Sequence, residues 1–140
     1  MRFMMLLKAD KRSEAGVLPT RQELEIMGKY NEELAKAGVL LDGAGLQSSS
    51  RGARITFGGG EPVVTDGPFA ETKELLAGYW MIEVKSKEEA IAWAKRAPLD
   101  AMPSEGRMAE IEVRQMFELS DFPDLPESVA ALESTWPSNR

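Results

Sequence analysis

Alternation of apolar and polar residues predicts the strands at the two ends of the chain. Residues 2–8 and residues 110–117 alternate with a period of two, as expected for strands with two different faces. Residues 78–84 are rich in aromatic and β-branched residues and predict a third strand. One face of the first strand would carry Phe3, Met5 and Leu7.

Helical spacing and capping signals predict two long helices. Thr20 and Glu23 form a capping box at the start of residues 20–37, where apolar residues recur at helical spacing. Gly38 is suited to end this helix in the left-handed conformation. A second capping box begins a helix over residues 86–96. Both helices therefore have a defined start.

The middle of the chain predicts a hairpin. Short apolar segments at residues 54–57 and 62–65 flank three consecutive glycines. With a short apolar segment at residues 39–41 as the second strand, the order is strand–helix–strand, hairpin, strand–helix–strand. A predicted loop at residues 98–108 connects the second helix to the last strand. This order predicts an α+β fold with a ferredoxin-like βαββαβ sheet, an inserted hairpin and both helices on one face.

The opposite sheet face would be partly polar. The charged residues that would project from it are Glu110, Glu112 and Arg114, together with Lys8 or Arg2, and several apolar residues lie beside them. A half-polar face can simply meet water, or it can pack against a second sheet. Because apolar residues share this face, we expect it to pack against a second copy of the chain. The predicted assembly is a homodimer that encloses a polar cleft.

Composition narrows the possible chemistry. The 140 residues suffice for one domain and contain neither cysteine nor histidine, which excludes disulfides, thiolate or imidazole catalysis, and metal sites built on those side chains. We expect no cofactor. A net charge of −6 argues against nucleic acid as a partner, and no apolar run is long enough to cross a membrane or act as a signal peptide. Cytoplasmic residence is the expectation.

A rigid turn follows the hairpin. In the sequence Asp66-Gly67-Pro68-Phe69, glycine would permit an unusual backbone angle, proline would fix the next one, and Phe69 would anchor the turn in the core. Asp66 would thus be held in a fixed position. It could serve a site, or it could cap its own backbone two residues on.

The run from Thr65 to Trp80 resembles the signature of the YCII-related proteins, in the branch named for its DGPF motif. The surrounding segments at residues 37–41, 88–93 and 111–114 agree with this resemblance. The resemblance implies a domain at residues 1–118 and a dimeric α+β barrel. It also implies bacterial origin and genes beside extracytoplasmic-function sigma factors. Smaller YCII proteins carry a His–Asp pair in the cleft between subunits, which this chain cannot form because it has no histidine.

Asp66 is the candidate catalytic base, with Lys73 or Arg114 to steady a developing oxyanion. For Lys73 and its neighbour Glu74 the simpler interpretation is a solvated charged surface, and for Arg114 it is a salt bridge within the sheet face. The candidate ligand-binding residues are Lys73, Arg114, Glu71, Tyr79 and Trp80. Since Tyr79 and Trp80 are adjacent on one strand, only one of them can face the helices.

Two functions remain open at the level of sequence. One is binding of a small molecule in the cleft between subunits, with cofactor-free acid–base chemistry by Asp66. The other is a non-catalytic regulatory role with a sigma factor as partner. A purely structural dimerisation module is a third hypothesis. The extension at residues 119–140 carries a short predicted helix after Pro126, and its apolar residues should dock on the domain or on the partner subunit.

Overall fold

The computed structural model describes residues 1–102 and 109–137. Its strands are β1 (Arg2–Lys8), β2 (Leu40–Gly45), β3 (Ala53–Thr56), β4 (Val63–Asp66), β5 (Leu76–Glu83) and β6 (Ile111–Gln115). Its α-helices are α1 (Lys11–Glu14), α2 (Arg21–Lys36), α3 (Lys87–Lys95) and α4 (Glu127–Glu133). Among the described residues, no helix is long and apolar enough to cross a membrane.

The main sheet has four antiparallel strands in the order β2-β5-β1-β6. This is the strand order of a ferredoxin-like fold, so the α+β prediction is confirmed. Strands β3 and β4 pair only with each other and form a separate two-stranded sheet. The predicted hairpin is therefore present as an insertion between β2 and β5.

The strand register shows which residues lie on each face of the main sheet. In β1, Phe3 lies opposite Ile82 and Met5 lies opposite Trp80, so all four side chains share the face covered by the helices. Phe3, Met5 and Ile82 are almost completely buried there. The remaining buried residues of this core are Tyr30, Leu34, Val39, Trp80, Val84 and Ala90.

Hydrogen bonds from two aromatic residues fix α2 against its neighbours. The Tyr30 hydroxyl donates to the carbonyl oxygen of Trp93 at 2.7 Å, and Trp80 Nε1 donates to Asn31 Oδ1 at 2.8 Å. The Tyr30 and Trp80 rings meet edge to face, with centroids 5.5 Å apart. Burial raises the pKa of Tyr30 to about 12.

The capping signals act largely as predicted. Thr20 and Glu23 form the reciprocal capping box of α2, and Gly38 adopts a left-handed φ of 75° after its end. At α3, the Ser86 side chain accepts the Glu89 N–H, but Glu89 accepts the Lys85 N–H instead of returning a bond to Ser86. This second box is therefore one-sided.

Three segments differ from the sequence-based expectation. The polar residues 9–18, with Gly16 among them, predict a loop, but Asp10 and Ser13 cap each other's backbone and start α1. The sequence of residues 71–76 could form about one and a half helical turns. The structure has only a 3-10 turn there, at Thr72–Glu74, and β5 begins earlier than predicted. The loop predicted at residues 98–108 begins with a 3-10 turn at Leu99–Ala101, and its residues 103–108 lie outside the described part.

The C-terminal extension follows an ion pair between the buried Arg2 and the half-buried Glu118, and it ends on exposed apolar residues. Arg2, which is 6% exposed, pairs with Glu118 at 3.0 Å. Pro126 precedes α4 as predicted, and Leu132 and Trp136 remain 62% and 48% exposed. The docking of these residues thus stays a prediction about the assembled protein. The chain end at residues 138–140, expected to fray, lies outside the described residues.

Candidate functional site

The Asp66–Phe69 turn is fixed by close contact with the segment that precedes the hairpin. A Cβ added to Gly67 would lie 1.8 Å from the Ser49 carbonyl oxygen, and the Gly67 N–H donates to the Gly52 carbonyl at 3.0 Å. The expectation that Gly67 supplies an unusual backbone angle is wrong, because its φ lies outside the left-handed range. Glycine is needed here for the close approach. The Gly67–Pro68 peptide bond is cis.

Ser49 connects this turn to α1. Its Oγ accepts the Phe69 N–H at 2.9 Å and donates its own hydrogen to Glu14 Oε1 at 2.5 Å. The Ser49 N–H donates to the other Glu14 oxygen at 3.0 Å. Glu14 is the last residue of α1, so the turn and this short helix are held together by one serine.

Asp66 is exposed at the end of β4. Its carboxylate accepts no hydrogen bond from the described residues. The backbone cap, one of the two roles that the sequence left open for Asp66, is not formed, because Pro68 has no N–H and the Phe69 N–H donates to Ser49 Oγ. The position of Asp66 is therefore set by the chain around it.

Phe69 does not enter the core, contrary to expectation. It is half-buried and lies outside the buried cluster, and the Arg54 guanidinium is 3.8 Å above its ring centroid. Arg54 also pairs with Glu71 at 3.7 Å. Since β3 and β4 form a sheet of their own, the side chain that covers Phe69 is Arg54 of β3. Lys73 lies nearby in the 3-10 turn and is exposed.

The open face of the main sheet carries a row of charges. Glu112 lies between Lys8, at 3.3 Å, and Arg114, at 3.0 Å. Hydrogen bonds from Arg114, and then from Lys8, lower the pKa of Glu112. Arg114 thus has the salt-bridge partner within the sheet face that the sequence allowed for.

Tyr79 and Trp80 lie on opposite faces of β5. Register places Tyr79 opposite Leu6 on the open face and Trp80 opposite Met5 under the helices. The Tyr79 hydroxyl donates to Asp42 Oδ2 at 3.1 Å, and this bond raises the Tyr79 pKa. Within one chain the candidate residues fall into three places. Asp66, Phe69, Glu71 and Lys73 lie at the hairpin, Tyr79 and Arg114 on the open face, and Trp80 in the core.

A cavity that the sequence did not reveal lies at the end of the sheet where β1 ends. Its volume is about 310 Å³, within the size range of small-molecule sites. Most of its wall is apolar, including Leu7, Leu24, Met27, Ala77 and Leu99. The charged residues of the lining are Lys8, Asp10, Arg12, Glu23 and Glu110.

A second cavity of about 230 Å³ adjoins the first and shares Leu7, Met27, Gly45 and Ala77 with it. Tyr79 and Trp80, both predicted to bind ligand, are among its lining residues. Val17 and Leu18, in the loop predicted at residues 9–18, and the following Pro19 line the first cavity and are a partial signal for it in the sequence. They suggest a loop folded over an apolar space.

The profile of the YCII-related domain matches residues 1–117. The chain therefore belongs to the YCII-related family. It is also similar to an uncharacterised protein of Rhizobium meliloti (strain 1021), with 36% identity over 80 residues. That alignment covers 57% of this chain and 64% of the relative, so the chain spans less than two thirds of the relative it matches.

Proposed function

We propose that this YCII-related protein binds a small, largely apolar molecule in the cavity of about 310 Å³, and that it does so as a homodimer of the DGPF branch. The cavity is the observation that carries the proposal. An apolar wall with a few charged groups is typical of small-molecule sites, and its volume is sufficient for a ligand of modest size.

The DGPF turn supports this site indirectly. The turn is hydrogen-bonded to Ser49, and Ser49 is hydrogen-bonded to Glu14 of α1. Helix α1 in turn contributes Arg12 and Ser13 to the cavity lining. In this proposal the motif positions one wall of the cavity. Acid–base chemistry by Asp66 would be a further step. It would require the second copy to bring a ligand to the hairpin, where Asp66 is exposed in the single chain.

The alternative proposal is a regulatory role beside an extracytoplasmic-function sigma factor. One observation favours it: the net charge of −6 suits a basic protein partner. Copurification of the intact chain with such a factor would support this role. Saturable binding of small molecules in the cavity would favour the first proposal.

The experiment is titration of the protein with phenylnaphthylamine, a neutral fluorophore whose emission rises in apolar surroundings. Ala77 lines both cavities, so Ala77→Phe should fill the space and weaken binding by about tenfold or more. Ala92→Phe is the matched control, because Ala92 is exposed on α3 and lies outside both linings.

Thermal unfolding would establish that the variants fold, and the smaller change Ala77→Leu keeps the test available if phenylalanine is not accepted. Saturable binding by the unaltered protein and by Ala92→Phe, with loss in Ala77→Phe, is the expected result. Equal binding by all variants would place the fluorophore elsewhere and refute the cavity as the site.

A further inference from the structure

The charged side chains around the cavity differ in whether an ion pair, a hydrogen bond or water compensates their charge. Lys8 is ion-paired with Glu112 at 3.3 Å, and the Asp10 carboxylate accepts the Ser13 N–H at 2.8 Å in the cap of α1. Glu23 accepts the Thr20 N–H in the cap of α2. Glu110 is exposed, so water can solvate its carboxylate. These four residues need no ligand.

Arg12 differs from them. It is half-buried in the cavity wall, and among the residues that the structure describes its guanidinium makes no ion pair or hydrogen bond. A guanidinium has five N–H donors and keeps its charge at all ordinary pH values. A half-buried cation of this kind is stabilised by an anion that reaches it.

We infer that the cavity takes an amphipathic monoanion, whose apolar body lies against Leu7, Leu24 and Met27 and whose carboxylate or sulfonate binds Arg12. The inference rests on the proposed small-molecule site and adds the class of ligand. A neutral ligand would bring no anionic partner to Arg12, which has none among the residues that the structure describes. A larger anion with several charges would be repelled by Asp10, Glu23 and Glu110 in the same lining.

Two fluorophores with the same ring system show how much of the binding affinity depends on the charge of the ligand and how much on its shape. Anilinonaphthalenesulfonate carries the sulfonate that phenylnaphthylamine lacks. The unaltered protein should bind the sulfonate about tenfold more tightly, as expected for a charge-assisted hydrogen bond at a partly exposed site. Displacement by octanoate, but much less by octanol, would extend the result to carboxylates.

Arg12→Gln keeps the length and polarity of the side chain and removes its charge, so the two fluorophores should then bind about equally. Arg21→Gln is the matched control, because Arg21 pairs with Glu25 at the surface and lies outside the cavity lining. It should keep the preference for the sulfonate.

The outcomes are distinguishable. Saturable binding of both fluorophores with no preference in the unaltered protein would overturn the inference and leave the cavity as a site for neutral molecules. A preference that survives Arg12→Gln would also overturn it. Binding of neither fluorophore, or binding that Ala77→Phe leaves unchanged, would contradict the proposed function itself.

Discussion

At position 67 a backbone contact with Ser49 leaves no room for any residue larger than glycine. The nearest atoms to a Cβ on Gly67 would be the carbonyl oxygen and carbon of Ser49, at 1.8 and 2.6 Å. These are backbone atoms, so no side-chain rotation can make room. Because Ser49 also binds Phe69 and Glu14, a displaced Ser49 would disturb the turn and α1 together.

Gly67→Ala should therefore lower the free energy of unfolding by about 1–3 kcal/mol, the usual range for overpacking a closely packed site. Urea unfolding would measure it. Gly59→Ala is the matched control: nothing lies within 4 Å of a Cβ there and its φ is not left-handed, so little change is expected. Equal changes in unfolding free energy for the two substitutions would contradict the close contact between position 67 and the Ser49 carbonyl.

Single-residue roles were only partly predictable from sequence. The Asp-Gly-Pro-Phe motif indicated a rigid turn, and the turn is present. The reason for its glycine was not predictable, because the Ser49 carbonyl approaches from 18 residues earlier in the chain. Likewise the motif gave no sign that Arg54 would cover Phe69, which depends on how the hairpin folds back.

At the scale of elements, helix α2 is tied to α3 by the Tyr30 hydroxyl. Burial raises the Tyr30 pKa from 10.0 to about 12, so the phenolate is disfavoured in the folded chain. The unfolded chain therefore ionises first as pH rises. This contribution to stability is fully present below pH 10.0 and is lost as pH rises to about 12.

Between pH 10 and 12, Tyr30→Phe should remove up to about 2–3 kcal/mol of the loss in unfolding free energy. At neutral pH it should lower the unfolding free energy by about 1 kcal/mol, because the hydrogen bond to Trp93 is lost. Chemical unfolding at a series of pH values would measure both effects. Tyr79→Phe, at the other tyrosine of the chain, removes an exposed phenol and should leave the steep alkaline loss in place. Identical pH profiles for the unaltered protein and Tyr30→Phe would contradict the role given to burial.

Elements with strong local signals were predictable, and those that depend on one or two side chains were not. Capping boxes and helical spacing located α2 and α3 within one or two residues. Helix α1 has only four residues and no apolar periodicity, so its Asp10 cap was the only signal. Strand β5 begins at Leu76, earlier than predicted, because the preceding 3-10 turn is shorter than the helix expected there.

On the scale of the whole molecule, apolar surface remains exposed on the hairpin segment and on α4. Phe57 and Val64 of the hairpin segment are 75% and 64% exposed, and Leu132 of α4 is 62% exposed. The open sheet face adds Met4, Leu6 and Met81, which are half-buried in the single chain. The sequence could not predict the cavity, because its wall is assembled from α1, α2 and three strand ends that are distant in the chain.

These surfaces support the proposed homodimer through the open sheet face. A stable interface typically covers about 800 Å² on each partner, and a continuous sheet face with apolar residues can supply that area. Met81 lies opposite Met4 and beside Asp42 in the sheet, so it occupies the middle of this face. Charge placed there would have to be buried on association, which is strongly unfavourable.

Met81→Glu should therefore shift the protein from dimer to monomer in light scattering after size-exclusion chromatography, by at least about tenfold in the dissociation constant. Ala35→Glu, on the exposed surface of α2, should leave the dimer intact. Val64→Glu tests the hairpin separately: loss of the dimer only in this variant would move the interface from the sheet face to the hairpin. A monomer for the unaltered chain at all concentrations would refute the homodimer. It would also mean that Asp66 acts, if at all, outside a cleft between subunits.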